Sequence, residues 1–156
     1  LEFRRVLFRS RTDRVDKLED GSLVLIDYKS GEHKASEWDG DRPDEPQLPL
    51  YAISTEGQLS AVLFGALRVG KCAFTGLAAS EQIAPGLNRK FMSLSLQEHL
   101  EQWRLVLNRL ATDFRDGVAT VFPKDRNKSC QNCHLTALCR IGESGSAGES
   151  REDNGE

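Results

Sequence analysis

Leu23-Val24-Leu25-Ile26-Asp27-Tyr28-Lys29 is the stretch whose reading decides the fold. Its apolar run follows the turn signal Glu19-Asp20-Gly21-Ser22 and reads as a buried strand. A buried strand does not end in two charges without compensation, because an unpaired interior charge is costly. Side chains alternate along a strand, so Asp27 and Lys29 share one face and Tyr28 takes the other. Working outward, Asp13 lies on the preceding segment, Arg11 to Leu18, which the Asp20-Gly21 turn folds back as a hairpin partner. Asp16, three residues on, faces the opposite side and is expected to pair with a nearby cation. Two carboxylates converging at a strand end suit a hard divalent cation such as Mg²⁺, and a lysine beside them suits an anionic oxygen. Such a group can hydrolyse a phosphodiester. An isolated Asp-x-Lys triplet usually marks a solvated turn. Here it caps an apolar strand.

Further along, Ser30 to Glu45 is polar, contains Gly31, Gly40 and Pro43, and reads as a long surface loop. Pro46 to Ile53 (PQLPLYAI) reads as a short helix with proline in its first turn. Ala61 to Val69 is apolar and strand-like, and Lys71 to Leu77 follows a Val69-Gly70 turn as its hairpin partner. Ser80 to Leu94 lacks periodicity and reads as loop. Leu96 to Arg115 is the clearest helix, with Leu100, Trp103, Val106, Leu107, Leu110, Ala111 and Phe114 at three- and four-residue steps and Gly117 as a stop. Sheet pieces with helices on their flanks give an α/β domain.

The 156 residues suffice for one domain, and 38% hydrophobic content for one core. No membrane-spanning stretch and no secretory signal pattern is visible, and the chain is expected in the cytoplasm. Residues 1–10, LEFRRVLFRS, resemble the in-frame translation of a sequencing adapter. They are set apart from the fold, and the chain is expected to be a piece of a longer protein. The net charge is −3, with +2 in residues 1–10 and −4 in residues 141–156, which leaves −1 between them. No global basic signature of nucleic-acid binding exists, although a bound cation can supply the local positive charge that a nuclease needs. The tail, residues 141–156, is rich in Gly, Ser and Glu and is expected to be disordered.

Taken in order, Arg11-Thr12-Asp13-Arg14-Val15-Asp16, Leu25 to Gly31 (LIDYKSG) and Gln47-Leu48-Pro49-Leu50-Tyr51 resemble the core of the PD-(D/E)xK nuclease superfamily. Within it they are most similar to the RecB-like and AddB-like exonuclease domains of bacterial DNA repair proteins. The resemblance spans Arg11 to Arg140. It implies a restriction-endonuclease-like core: a central mixed β-sheet flanked by helices. It implies a Mg²⁺- or Mn²⁺-dependent deoxyribonuclease, an exonuclease rather than an endonuclease, with DNA as substrate and a helicase subunit or helicase-like upstream region as partner. Asp13, Asp27 and Lys29 would be catalytic, with Asp13 and Asp27 as metal ligands and the Tyr28 backbone carbonyl also facing the metal. Gln47 and Tyr51 match the family's Gln-x-x-x-Tyr motif beside the site; their plainer reading is a capping glutamine and a core tyrosine. The family's usual glycine before Arg11 is replaced by Ser10, and its early helix with a metal-binding His or Glu would lie upstream. Two alternatives stand beside this reading: a catalytically inactive DNA-binding module, and a CRISPR-associated adaptation exonuclease.

Cys130-x₂-Cys133-x₅-Cys139 is a second constellation. Three thiols in ten residues of a cytosolic chain point to metal or cluster ligation rather than to a disulfide. Spacing alone does not choose between zinc and iron–sulfur. Similarity to the AddB-like branch implies a [4Fe-4S] cluster that uses these three and a fourth cysteine upstream; His134 would instead complete a Cys₃His site for Zn²⁺. Cys72 is expected to be a small buried hydrophobe in a strand. His33 and His99 are expected to be solvated or locally hydrogen-bonded. Trp38 could stack on a base or pack on its own domain, and Lys124, Arg126 and Lys128 form a small basic run.

Overall fold

The structure is a computed structural model that describes residues 12–84, 87 and 94–141. The segment 1–10 and the tail beyond residue 141 lie outside the described residues. The chain divides into two compact units, Leu1–Thr112 and Asp113–Glu156.

In the first unit, β1 (Arg14–Lys17), β2 (Leu23–Lys29), β3 (Leu59–Arg68) and β4 (Lys71–Ala78) form one sheet in the order β1-β2-β3-β4. The turn between β1 and β2 forms because Asp20 Oδ1 accepts from Ser22 N at 2.9 Å and from Ser22 Oγ at 2.6 Å, while Gly21 takes φ +84°. Ser60 Oγ donates to the buried Ser22 Oγ at 2.7 Å and ties the turn to β3. β1 pairs antiparallel with β2, β2 parallel with β3, and β3 antiparallel with β4. The sheet is therefore mixed, and with its flanking helices it is the α/β class that the sequence implies.

β2 is buried on both faces, which is why it reads as a continuous apolar run rather than an alternating one. Leu25 joins one core with Trp38, Leu48, Ala52, Val62, Phe64, Leu100 and Trp103; Val24 and Ile26 join the other with Ala61, Leu63, Ala78 and Ala84. A parallel pair cannot be closed by a tight turn, so the chain crosses over between β2 and β3. This crossover holds a 3₁₀ turn, Ala35–Trp38, and helix α1, Gln47–Ser54.

Within the polar stretch Ser30 to Glu45, Trp38 packs on its own domain, one of its two readings from sequence, and is 1% exposed, so the stretch is not surface loop throughout. The Trp38 ring lies 4.8 Å from that of Phe64 and 5.6 Å, edge-on, from that of Trp103. Polarity in sequence hid one large apolar anchor. Helix α2, Leu96–Arg115, begins with a capping box: Ser95 N donates to Glu98 Oε2 at 2.6 Å, and Glu98 N donates to Ser95 Oγ at 3.3 Å. Its buried side chains are Leu96, His99, Leu100, Trp103 and Val106, with Leu107 packed against them. The expected apolar stripe continues further, but Phe114 is 88% exposed. His99 also departs from expectation. It is buried, stacks near Trp103 at 5.7 Å, and neither ring nitrogen has a hydrogen-bond partner among the described residues. The i, i+4 spacing from His99 to Trp103 puts both on the apolar face. Cys72 lies in β4, as expected of a strand residue, but is exposed. It pairs with Leu67 beside the hairpin end, where the core no longer covers the sheet, and Leu67 is 57% exposed.

In the second unit, Gly117 and Val118 close the end of α2 by donating to the carbonyls of Phe114 and Asp113. Two short helices follow, α3 (Arg126–Cys130) and α4 (Thr136–Cys139). Asp125 caps α3, its Oδ1 accepting from Asn127 N at 2.9 Å and Lys128 N at 3.2 Å.

Truncating Trp38 to Ala should cost about 3–5 kcal/mol of unfolding free energy, read by urea denaturation; a cost under about 1 kcal/mol, the size of an exposed-site change, contradicts the packing described. Burial pulls the His99 pKa below its ordinary value, and the charges of Asp39 and Glu98 only partly offset this. The unfolded histidine therefore binds a proton near pH 6.5 that the folded one refuses, so stability should fall as pH drops below about 6.5. His99→Leu should flatten the decline of the urea midpoint between neutral pH and pH 5; an unchanged decline assigns the acid sensitivity to other groups.

Candidate active site

Asp27 is the last fully buried residue of β2, at 4% exposure, and Lys29 is half-buried two residues on. Both lie on the sheet face that carries Leu25, the face toward α1. Lys29 Nζ stands 3.0 Å from Asp27 Oδ2. That distance makes an ion pair, yet the buried Oδ2 accepts no hydrogen bond among the described residues. An orphaned buried carboxylate oxygen is what a cation site presents before the cation is added.

Asp13 comes from the neighbouring strand. β1 starts at Arg14, which pairs with Ile26, so Asp13 lies one residue before the strand, beside the end of β2. Asp13 Oδ2 accepts a hydrogen bond from Tyr28 N at 2.9 Å, which fixes the exposed carboxylate against the end of β2. In an antiparallel ladder the N–H and C=O of one residue face the same neighbour, so the Tyr28 carbonyl is directed to the side that Asp13 occupies. The Tyr28 ring goes to the other face, as alternation requires, and packs over Gly65 of β3. A Cβ on Gly65 would meet Tyr28 Cδ1 at 2.7 Å, so this close approach needs glycine. Asp16, for its part, pairs with Arg14 Nε at 2.7 Å, and Arg14 Nη1 also donates to the Tyr28 hydroxyl at 3.2 Å.

Helix α1 arrives over the end of β2 and supplies the second half of the cluster. Lys29 Nζ donates to Gln47 Oε1 at 3.2 Å, and Gln47 Nε2 donates to the Tyr51 hydroxyl at 3.1 Å. Tyr51 and Gln47 are one helical turn apart, so both face the lysine from the same side. The capping reading of Gln47 does not hold: its side chain is spent on Lys29 and Tyr51. Glu45 Oε2 lies 3.9 Å from Lys29 Nζ and was not singled out from sequence. Its nearness to Gln47 in the chain was the available signal, but the loop reading gave no direction to its side chain.

These neighbours set the charge state of the lysine. Burial alone lowers its pKa, but the close contact and charge of Asp27, with the charges of Glu45 and Asp13, outweigh it, and the net shift is upward. Lys29 is thus a cation throughout the neutral range. It can stabilise anionic oxygen and orient water but has no free base to accept a proton.

Among the described residues, no group of three or more His, Cys, Asp or Glu side chains is gathered closely enough to form a complete metal-ligand set. Asp13 and Asp27 are a partial set, which fits Mg²⁺ well, since that ion usually takes one or two carboxylates and fills its octahedron with water and substrate phosphate. The three clustered cysteines, of intermediate exposure in the second unit, form no disulfide among the described residues. Cys133 N donates to the Cys130 carbonyl at 3.2 Å, and Cys133 Sγ accepts from Leu135 N at 3.4 Å. His134 is exposed. Within that unit the basic run is partly engaged, Arg126 donating to the Ile141 carbonyl at 3.1 Å.

A larger cleft of about 410 Å³, lined by residues such as Gln58, Ala79 and Ser95, opens at the start of β3, and none of its described lining side chains titrates. The cluster of Asp27, Lys29 and Gln47 sits at the opposite end of β2 and β3. No curated protein and no solved structure matches the chain. A family model of the PD-(D/E)XK nuclease superfamily matches residues 1–140, and with the mixed sheet and the acidic pair and lysine at the end of β2, the chain belongs to that superfamily of nucleases.

Proposed function

We propose that the chain is the nuclease domain of a Mg²⁺- or Mn²⁺-dependent deoxyribonuclease that digests DNA from strand ends. In this reading it works with a helicase, as a partner subunit or in the same polypeptide, in the repair or recombination of broken DNA in the cytoplasm. The observation that carries the catalytic part is the Lys29 ammonium 3.0 Å from the buried Asp27 carboxylate, with Asp13 held against the same strand end by the Tyr28 amide. A non-catalytic binding module would have no use for a buried, charge-compensated carboxylate with an unspent oxygen. The finer terms, exonuclease action and a helicase partner, rest on the resemblance carried by Arg11 to Asp16, Leu25 to Gly31 and Gln47 to Tyr51.

Asp13 and Asp27 would hold the divalent cation, with the Tyr28 carbonyl on the same side. When bound, that cation supplies Lewis-acid polarisation of the phosphate and makes water a better nucleophile at neutral pH. Lys29 orients the attacking water and offsets the negative charge that grows on the phosphate oxygens. Gln47 holds the amine by its amide oxygen, and Tyr51 fixes which way that amide points. Together they keep Lys29 near the reacting phosphate once Asp27 turns its charge toward a cation.

The cysteines have a structural part. We assign Cys130, Cys133 and Cys139 to a [4Fe-4S] cluster with a fourth ligand from elsewhere in the parent protein. The N–H···S hydrogen bond from Leu135 to Cys133 supports a thiolate ligand there, since such bonds tune cluster sulfurs. A cluster of this kind would close a long loop of chain and add to stability, without touching the phosphate.

Asp27→Asn and Lys29→Met should each lower Mg²⁺-dependent DNA degradation by about 10²- to 10³-fold or more in kcat while DNA affinity stays nearly unchanged. Gel-based turnover with circular dichroism of each variant checks this, and undiminished cleavage by either one refutes the site. Separately, Cys133→Ser should bleach the broad visible absorption of a cluster and lower the melting temperature. A colourless wild type containing zinc would replace the cluster by a Cys₃His site.

A further inference from the structure

Beside Lys29 the same sheet face carries a second feature that the reaction does not use. Beyond the residues covered by α1, a cleft of about 190 Å³ opens between the segment after β2 and the facing ends of β3 and β4. Ala66 and Ala73, directly paired across β3 and β4, lie along it with Phe64. Small side chains at a paired position leave a depression in a sheet that large ones would fill. His33 forms a wall, its ring centroid 5.2 Å from that of Phe64 at a 44° tilt. That wall is held in place: His33 Nδ1 lies 2.9 Å from Glu37 Oε2, and Thr75 Oγ1 donates to the His33 carbonyl at 3.1 Å. Lys29, Lys34 and Arg68 also border the cleft. Its one carboxylate, Glu32, is engaged by Arg68 at 2.8 Å.

We propose that this cleft receives one base of the DNA strand, that of a nucleotide next to the scissile phosphate. The proposal rests on the nuclease reading of the Lys29 site, which it deepens. Three properties favour a base over another occupant. The volume is below the about 300–1,000 Å³ of sites for drug-sized molecules, so it admits a single ring system. The lining is apolar and aromatic, and stacking of this kind is tolerant of base identity, as an enzyme that degrades DNA requires. Three cations, Lys29, Lys34 and Arg68, line the same cleft, which suits the phosphates that flank a base. Because Lys29 belongs to both the cleft and the acidic cluster, a base seated here sets its own phosphate within reach of the amine. Register of the strand over the site is then fixed by one pocket.

The test uses the full chain in EDTA, so that no cleavage occurs, and an eight-nucleotide single-stranded DNA with one abasic position walked along it. Fluorescence anisotropy should show one position at which base removal weakens binding roughly five- to 150-fold, the contribution of one stacked base. Ala66→Leu, which fills the cleft, should weaken the intact strand to a similar degree and make the abasic position cost nothing further. Ala73→Leu, from the opposite strand, repeats the measurement should Ala66→Leu fail to melt cooperatively. Equal binding of all abasic strands, or additive losses in the filled variant, overturns the proposal. A Mg²⁺-dependent cleavage assay of wild type and Asp27→Asn runs alongside. Cleavage that depends on Asp27 with no base-specific position sinks the cleft alone, whereas cleavage indifferent to Asp27 sinks the nuclease reading.

Discussion

A carboxylate buried at the end of a central strand is the constraint on which the rest of the site depends. Asp27 has β1 on one side and β3 on the other, so water cannot solvate it fully, and its charge must be met by protein. Lys29 meets it from the same strand, because a period of two places residues 27 and 29 on one face. Intramolecular compensation of this kind has a consequence. The two groups stand 3.0 Å apart, so neither charge is left bare inside the protein. Lys29 also has Gln47 and Glu45 within reach.

Topology supplies those two neighbours. β2 and β3 run parallel, and a parallel connection must leave the sheet, pass over one face and return. The passage is anchored by Trp38, which packs between Phe64 and Trp103, and it delivers α1 with Gln47 at its first turn to the end of β2. The same excursion leaves the ends of β3 and β4 uncovered beyond Phe64, where Ala66 and Ala73 mark the cleft. One packing decision, the burial of a tryptophan in an otherwise polar crossover, thus places a helix over the lysine and a hollow beside it.

Where sequence reading failed, it failed for tertiary reasons. Trp38 sits among charged and small residues, and nothing local distinguishes a tryptophan that covers a core from one that waits for a base. His99 reads as polar, yet its place one turn before Trp103 carries it inside, where neither nitrogen makes a hydrogen bond among the described residues and Asp39 Oδ1 comes no nearer than 3.8 Å to Nδ1. Cys72 has the neighbours of a buried strand residue, but it lies near the tip of a hairpin that extends past its helices. Glu45 gains meaning only from the path of the crossover. The strands and the long helix were legible because each carries a strong period over many residues: β2, β3, β4 and α2 differ from their sequence boundaries by at most two residues.

By itself the sequence determined that an apolar strand ends in Asp27-Tyr28-Lys29, that Asp27 and Lys29 face one way and Tyr28 the other, and that strands and helices combine in an α/β domain. Alternation and helical periodicity are local properties of the chain, and they survive without knowledge of contacts. Only the tertiary structure decided that the lysine is shared among Asp27, Gln47 and Glu45, that Asp13 is fixed by the Tyr28 amide, and that an apolar hollow opens next to them. Those facts depend on strand order and on the route of a crossover, and both are set by which distant apolar surfaces bury one another rather than by any residue's own preference.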